Sequence, residues 1–148
     1  MPMTKEKSPL LDHCPPSLPA ESYFDENWYL KESRLIWQRE WVYAGRLNDF
    51  PVGKMRPLTV GNAGIILCRL SETKIIAYHN TCRHRGSELC RAEQTLGKTI
   101  RCPYHAWSYA AEDGRLLSTS HATPTEDFKS DENSLFPVAT KVWNGFIF

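Results

Sequence analysis

Two short stretches limit this chain more than anything else in it: Cys82-Arg83-His84-Arg85-Gly86 and Cys102-Pro103-Tyr104-His105-Ala106-Trp107. Each joins a thiol to an imidazole, with one residue between them in the first stretch and two in the second. Residues 85–101 separate the two pairs. Thiolates are soft ligands that suit zinc or iron–sulfur clusters, and imidazole suits zinc or iron equally well. Spacing alone does not decide between these, but zinc fingers keep cysteines with cysteines and histidines with histidines. Here each stretch carries one of each. Whatever is bound, the fold has to bring two separated loops face to face.

The surrounding pattern supplies strands for that purpose. Leu58-Thr59-Val60 and Ile65-Ile66-Leu67-Cys68 flank Gly61-Asn62-Ala63-Gly64, which predicts a hairpin. Ile75-Ile76-Ala77-Tyr78 follows the turn Ser71-Glu72-Thr73-Lys74. Thr99-Ile100-Arg101, Trp107-Ser108-Tyr109 and Arg115-Leu116-Leu117 are three more short strands, the last two joined across Glu112-Asp113-Gly114. Each ligand pair therefore follows a predicted strand. Residues 118–136 are polar and read as a long surface loop. Asn144-Gly145 is a turn between apolar neighbours, and the strand begun at Phe146 has three residues, which reads as a severed hairpin.

Upstream, Asp25 is a candidate N-cap for one amphipathic helix over residues 26–41, a span without Gly or Pro. Trp28, Leu35 and Ile36 recur at helical spacing, as do Leu30, Trp37 and Trp41. This aromatic face reads as core or subunit interface. The expected architecture is mainly β, an antiparallel β-sandwich or small barrel with an N-terminal amphipathic helix. The expected divisions are a disordered leader over 1–21, where five prolines fall, a helical segment over 22–44, and the metal-binding β domain over 45–148.

Composition narrows the setting. The 148 residues suffice for one domain with a sizeable core, and a net charge of +1 gives no argument for nucleic acid or a charged membrane surface. No apolar run approaches the roughly 18–20 residues of a membrane span, and the N-terminus has no signal-peptide core. Five cysteines, an odd number, fit a secreted disulfide framework poorly. The chain reads as cytoplasmic.

With these residues in view, the paired boxes resemble the Rieske motif, C-x-H followed by C-x-x-H. The resemblance implies a [2Fe–2S] cluster with Cys82 and Cys102 on one iron and His84 and His105 on the other. Neutral imidazoles leave such a site less negative than four thiolates, which raises its potential into a range of about −150 to +300 mV. Respiratory Rieske proteins resemble C-T-H-L-G-C with C-P-C-H-G-S, whose extra cysteines form a disulfide. Ser87 and Tyr104 stand at those positions, and Trp107 replaces the serine that donates to a cluster sulfur, which places the chain in the low-potential branch.

Within that branch the chain is similar to the N-terminal part of Rieske non-haem iron oxygenase α subunits. The likeness runs from about Tyr23 to Phe148. It includes Trp37-Gln38-Arg39-Glu40-Trp41, the box from Asn80 to Gly86, and Trp143-Asn144-Gly145-Phe146-Ile147-Phe148. The family usually has Gly where Ala106 stands. The resemblance implies an oxidoreductase component that takes electrons from a ferredoxin or flavin reductase and passes them to a mononuclear Fe(II) held by two histidines and a carboxylate in a neighbouring subunit. That iron site is expected in a C-terminal catalytic domain beyond this chain, so no catalytic residue is assigned here, and the full-length protein is expected to be a trimer. The alternatives are a stand-alone Rieske-type ferredoxin, which usually lacks the aromatic helix, and a zinc-stabilised interaction module.

Around the ligands, Arg83 and Arg85 read as orienting a partner's acidic groups or as solvated. Gly86 is expected to relieve crowding, Pro103 to stiffen its loop, Tyr104 to hydrogen-bond near the cluster, and Trp107 to exclude water from it. Cys14, Cys68 and Cys90 fall outside the boxes and are not read as ligands; Cys68 reads as a buried apolar residue. His13, His79 and His121 lack the spacing of a further iron site.

Overall fold

The unbroken apolar run Ile65-Ile66-Leu67-Cys68 becomes the middle of the molecule because both of its faces are covered. In the computed structural model, which describes residues 16–120 and 122–148, eleven short strands follow an N-terminal helical segment. They are β1 (Gly45–Arg46), β2 (Lys54–Val60), β3 (Ala63–Arg69), β4 (Ile75–His79), β5 (Gln94–Thr95) and β6 (Thr99–Arg101), then β7 (Ser108–Ala110), β8 (Leu116–Ser118), β9 (Pro137–Val138), β10 (Val142–Trp143) and β11 (Phe146–Ile147).

The strands make three antiparallel sheets, in the orders β5-β2-β3-β4-β9, β6-β7-β8 and β1-β11-β10. Alternation along β3 sends Ile66 and Cys68 to one side and Ile65 and Leu67 to the other. The first side packs on Tyr78, Ile100, Trp107, Tyr109 and Leu116, the second on Phe50, Ala77 and Ile147. Each fully buried Ile or Leu contributes about 1.5–3 kcal/mol. Cys82 and Cys102 belong to the first core, so that core continues directly into the ligand loops.

The mainly antiparallel β architecture agrees with the expectation, and its details differ in ways that have causes. The hairpin turn is only Gly61-Asn62, since Ala63 and Gly64 already pair with Val60 and Thr59. The strands after the second box begin one residue late, at Ser108 and Leu116. The two-residue strands β1, β5 and β9 went unread, being too short to show a period of two. Residues 118–136 are mostly loop, yet Leu135 is buried and Phe128 packs on the core. At the end of the chain, Asn144 (φ 48) and Gly145 (φ 82) make the left-handed two-residue turn between β10 and β11.

The helical segment departs most. Asp25 does cap it, its carboxylate accepting the Trp28 N–H at 2.8 Å. The α-helix α1 spans only Glu26–Glu32 and widens into a π turn over Ser33–Trp37, where the Gln38 N–H reaches the Ser33 carbonyl at 3.1 Å. The Arg39 and Glu40 N–H groups both fall on the Ile36 carbonyl, at 3.0 and 2.8 Å, which ends the helix before Trp41. Its apolar face is not core: Leu35, Ile36, Trp37 and Trp41 are all exposed, and only Ser33 is buried. An open apolar cavity of about 530 Å³ lies between Trp37, Trp41 and the outer face of β2 to β4. At the expected boundary of the leader, Ala20–Tyr23 form a 3-10 turn. Residues 1–15, with His13 and Cys14, and His121 lie outside the described residues.

Candidate metal centre

The first ligand loop leaves the large sheet after β4, and the second leaves the small sheet between β6 and β7. Each is closed by two backbone hydrogen bonds on its cysteine. The Cys82 N–H donates to the Ser87 carbonyl at 2.8 Å, and the Cys82 carbonyl accepts from the Gly86 N–H at 3.0 Å. The Cys102 N–H donates to the Trp107 carbonyl at 2.8 Å, and its carbonyl accepts from the Ala106 N–H at 3.1 Å. This tight ring turns the fourth residue after each cysteine left-handed, with φ 70 at Gly86 and φ 58 at Ala106. Crowding is not what selects Gly86: a Cβ there would meet nothing within 4 Å, and the left-handed φ is the constraint.

The four side chains expected as ligands come together. The His84 and His105 ring centroids are 4.9 Å apart, and both rings are half-buried. Cys82 and Cys102 are buried beneath them, at 2 % and 3 % exposure. Each thiol perturbs the other. Burial raises the Cys82 thiol above its ordinary range, against an opposing hydrogen bond from Tyr109. Burial acts the same way on Cys102, but the backbone N–H groups of His105 and Tyr104 donate to its sulfur and bring it below that range. His84 is lowered by burial first, then by His105 and Arg85.

The Nδ1 atoms of both His84 and His105 are buried without any hydrogen-bond partner. A buried polar atom left unpaired costs about 1–3 kcal/mol, so two such atoms beside two buried sulfurs suit a group that takes lone pairs, which is a metal centre. Among the described residues no three His, Cys, Asp or Glu side chains close on one point where a single ion would be held.

The neighbours are more specific than the sequence suggested. Trp107, 7 % exposed, stacks on His84 with centroids 4.8 Å apart and planes at 7°, and the Phe128 ring meets it edge-on. Tyr104 is exposed; its ring lies 3.7 Å from that of His105, and it reaches Cys102 through its backbone. Arg85 points to solvent. Arg83 instead folds back over the Phe136 ring, at 4.0 Å, and donates to the Glu132 carbonyl at 3.1 Å. Cys68 is fully buried in β3, its thiol pushed up to about 12 by burial and then by Cys90.

Two functional residues were missed in the sequence. The Tyr109 hydroxyl lies 3.2 Å from Cys82 Sγ and accepts the Arg83 N–H at 3.1 Å; toward a deprotonated sulfur it is the donor. Its signal was present, since it alternates with Trp107 toward the same face. Buried Asn80 accepts the Leu89 and Cys90 N–H groups at 3.0 and 2.9 Å and donates to the Cys90 carbonyl at 2.7 Å, tying down the chain after the first box. No local pattern announces that contact.

A family model described as the Rieske [2Fe-2S] domain matches residues 40–129. Among curated proteins, the chain is 36% identical over 133 residues to the glycine betaine monooxygenase oxygenase subunit of Pseudomonas aeruginosa, covering 89% of this chain and 30% of that protein. It is 29% identical over 138 residues to the carnitine monooxygenase oxygenase subunit of Escherichia coli, covering 89% and 35%. Among solved structures, a quaternary ammonium Rieske monooxygenase superposes with a TM-score of 0.81 at 23% identity, covering 88% of this chain and 37% of that one. Naphthalene 1,2-dioxygenase from Rhodococcus sp. superposes at 0.75 with 28% identity, covering 88% and 30%. The chain spans about a third of the length of the curated relatives it matches.

Proposed function

Because the chain belongs to the Rieske [2Fe-2S] domain family, we propose that it relays single electrons, with Cys82 and Cys102 holding one iron and His84 and His105 the other. The observation that carries this ligand set is the pair of buried, unpartnered Nδ1 atoms beside two buried thiols. When bound, the cluster stores and releases one electron at a time. The protein residues prepare that exchange. The buried sulfurs and the stacked Trp107 exclude water, the Tyr109 hydroxyl and the backbone N–H groups of His84, Tyr104 and His105 donate to the sulfurs, and the half-buried imidazoles offer the path outward.

The relatives are oxygenase subunits, and we propose the same place for this chain: residues 45–148 are the electron relay of an oxygenase α subunit, with residues 22–44 as an attached helical segment. The oxygen-activating iron then belongs to sequence outside these 148 residues, its electrons come from a ferredoxin or flavin reductase, and the whole subunit assembles as a trimer. The names of the relatives support a quaternary amine as substrate. Among the described residues no helix is long and apolar enough to cross a membrane.

The test is metal and sulfide analysis of the purified chain, with visible absorption and EPR after dithionite reduction. Two irons and two sulfides per chain, a coloured oxidised form and an EPR signal on reduction are expected. A colourless, EPR-silent protein with stoichiometric zinc contradicts the proposal.

A further inference from the structure

Arg83 stands between two of the proposed ligands, Cys82 and His84, and neither faces solvent freely nor pairs with an acid. Its backbone N–H donates to the hydroxyl of Tyr109, the same hydroxyl that lies 3.2 Å from Cys82 Sγ. Its side chain lays the guanidinium 4.0 Å over the Phe136 ring, with one terminal nitrogen donating to the Glu132 carbonyl. Its Nε is buried without a partner. Among the described side chains only three buried nitrogen or oxygen atoms are in that condition, and the other two are the Nδ1 atoms of His84 and His105.

The Phe136 ring under the guanidinium is 54 % exposed, and its backbone is tied to the sheet. The Phe136 carbonyl accepts the His79 N–H at 3.0 Å, from the end of β4, and the His79 ring meets the Phe136 ring edge-on at 6.5 Å. Next to it, Leu135 is buried and its N–H donates to the Gly114 carbonyl at 2.8 Å. The Glu132 carboxylate is taken by Lys129 at 3.0 Å, and among the described residues Arg83 makes no ion pair. The guanidinium thus places a positive charge beside the ligand loop with no carboxylate paired to it.

We propose that Arg83, held on the Phe136 ring, is an electrostatic positioning residue for the cluster, whose fixed charge favours the reduced state and makes the segment around Glu132 and Phe136 part of the redox site. The inference rests on the ligand assignment above. Reduction adds one negative charge to the site, and a nearby positive charge that is partly out of water lowers the energy of that state. Arg85, one residue past His84, carries the same charge but is exposed, where water and salt screen it. The two arginines thus form an internal control.

The experiment is an EPR-monitored redox titration of the full 148-residue chain with its cluster, in the parent protein and in Arg83→Gln, Arg83→Lys, Phe136→Leu and Arg85→Gln. Arg83→Gln is expected to lower the equilibrium constant for reduction about tenfold, which is about 59 mV for one electron. Arg83→Lys keeps most of the parent value, Phe136→Leu loses part of it because the freed guanidinium moves into water, and Arg85→Gln changes it least. Parent-like potentials in both Arg83→Gln and Phe136→Leu overturn the inference and leave Arg83 a loop-shaping residue. If Arg83→Gln takes up no cluster, Phe136→Leu decides, and a parent-like potential there overturns it. A parent chain that binds no iron overturns the ligand assignment, and this inference with it.

Discussion

The two ligand loops are closed by the same backbone hydrogen bonds, yet they are held in place by different means. In the first, an irregular stretch follows the box, and Asn80 fastens it through three hydrogen bonds to Leu89 and Cys90. In the second, the last residue of the box, Trp107, is buried and β7 begins at Ser108, so the strand itself supplies the anchor. The sulfurs differ as well. Cys82 has the Tyr109 hydroxyl and the His84 N–H as donors, while Cys102 has the N–H groups of His105 and Tyr104 and the Ser87 side chain. One loop depends on distant side chains for its position and the other on its own chain path. Mutations should therefore damage the first loop more selectively than the second.

The bluntest way to break the comparison is to remove a ligand. Cys82→Ser and His105→Ala should each abolish the visible spectrum, one from each loop, while Cys68→Ser should leave it intact. If Cys68→Ser bleached the protein and His105→Ala did not, the ligand set would be wrong. Next comes the clamp. Asn80→Ala strands two buried N–H groups and a carbonyl and should cost about 3 kcal/mol in denaturant unfolding, with no counterpart in the second loop. The left-handed positions sharpen the contrast in both directions. Gly86→Ala should destabilise by about 1 kcal/mol, whereas Ala106→Gly should stabilise by about 0.5 kcal/mol, both read as shifts in the unfolding midpoint at constant slope. The subtlest is Tyr109→Phe, which removes the donor to Cys82 but keeps the ring in the core. The cluster should survive with a lower potential in a redox titration, since hydrogen bonds to the sulfurs favour the reduced state.

How much of this was legible follows the same division. The boxes, the strands before them and the Asp25 cap are local, and each has a signature within a few residues. Glycine at the position of Ala106 in the resembling family was also legible as a pattern, although its reason, a left-handed φ, needed the backbone. What sequence could not give are contacts made across the fold. Asn80 acts ten residues away, Tyr109 reaches back 27 residues to Cys82, and Arg83 finds Glu132 at a separation of 49. The helical segment misled for a related reason. Its apolar spacing reads as core or subunit interface; within this chain the face is exposed rather than core, since spacing does not say what covers a face, and a π turn ends the helix early.

The arrangement of two sulfurs on one metal and two imidazoles on the other is tested most directly by Mössbauer spectroscopy of the ⁵⁷Fe-enriched chain. Two unequal iron sites in equal amounts are expected in the oxidised protein, with only one of them, the imidazole-bound iron, becoming ferrous on reduction. A single symmetric iron environment, or a chain that takes up no iron, would contradict it.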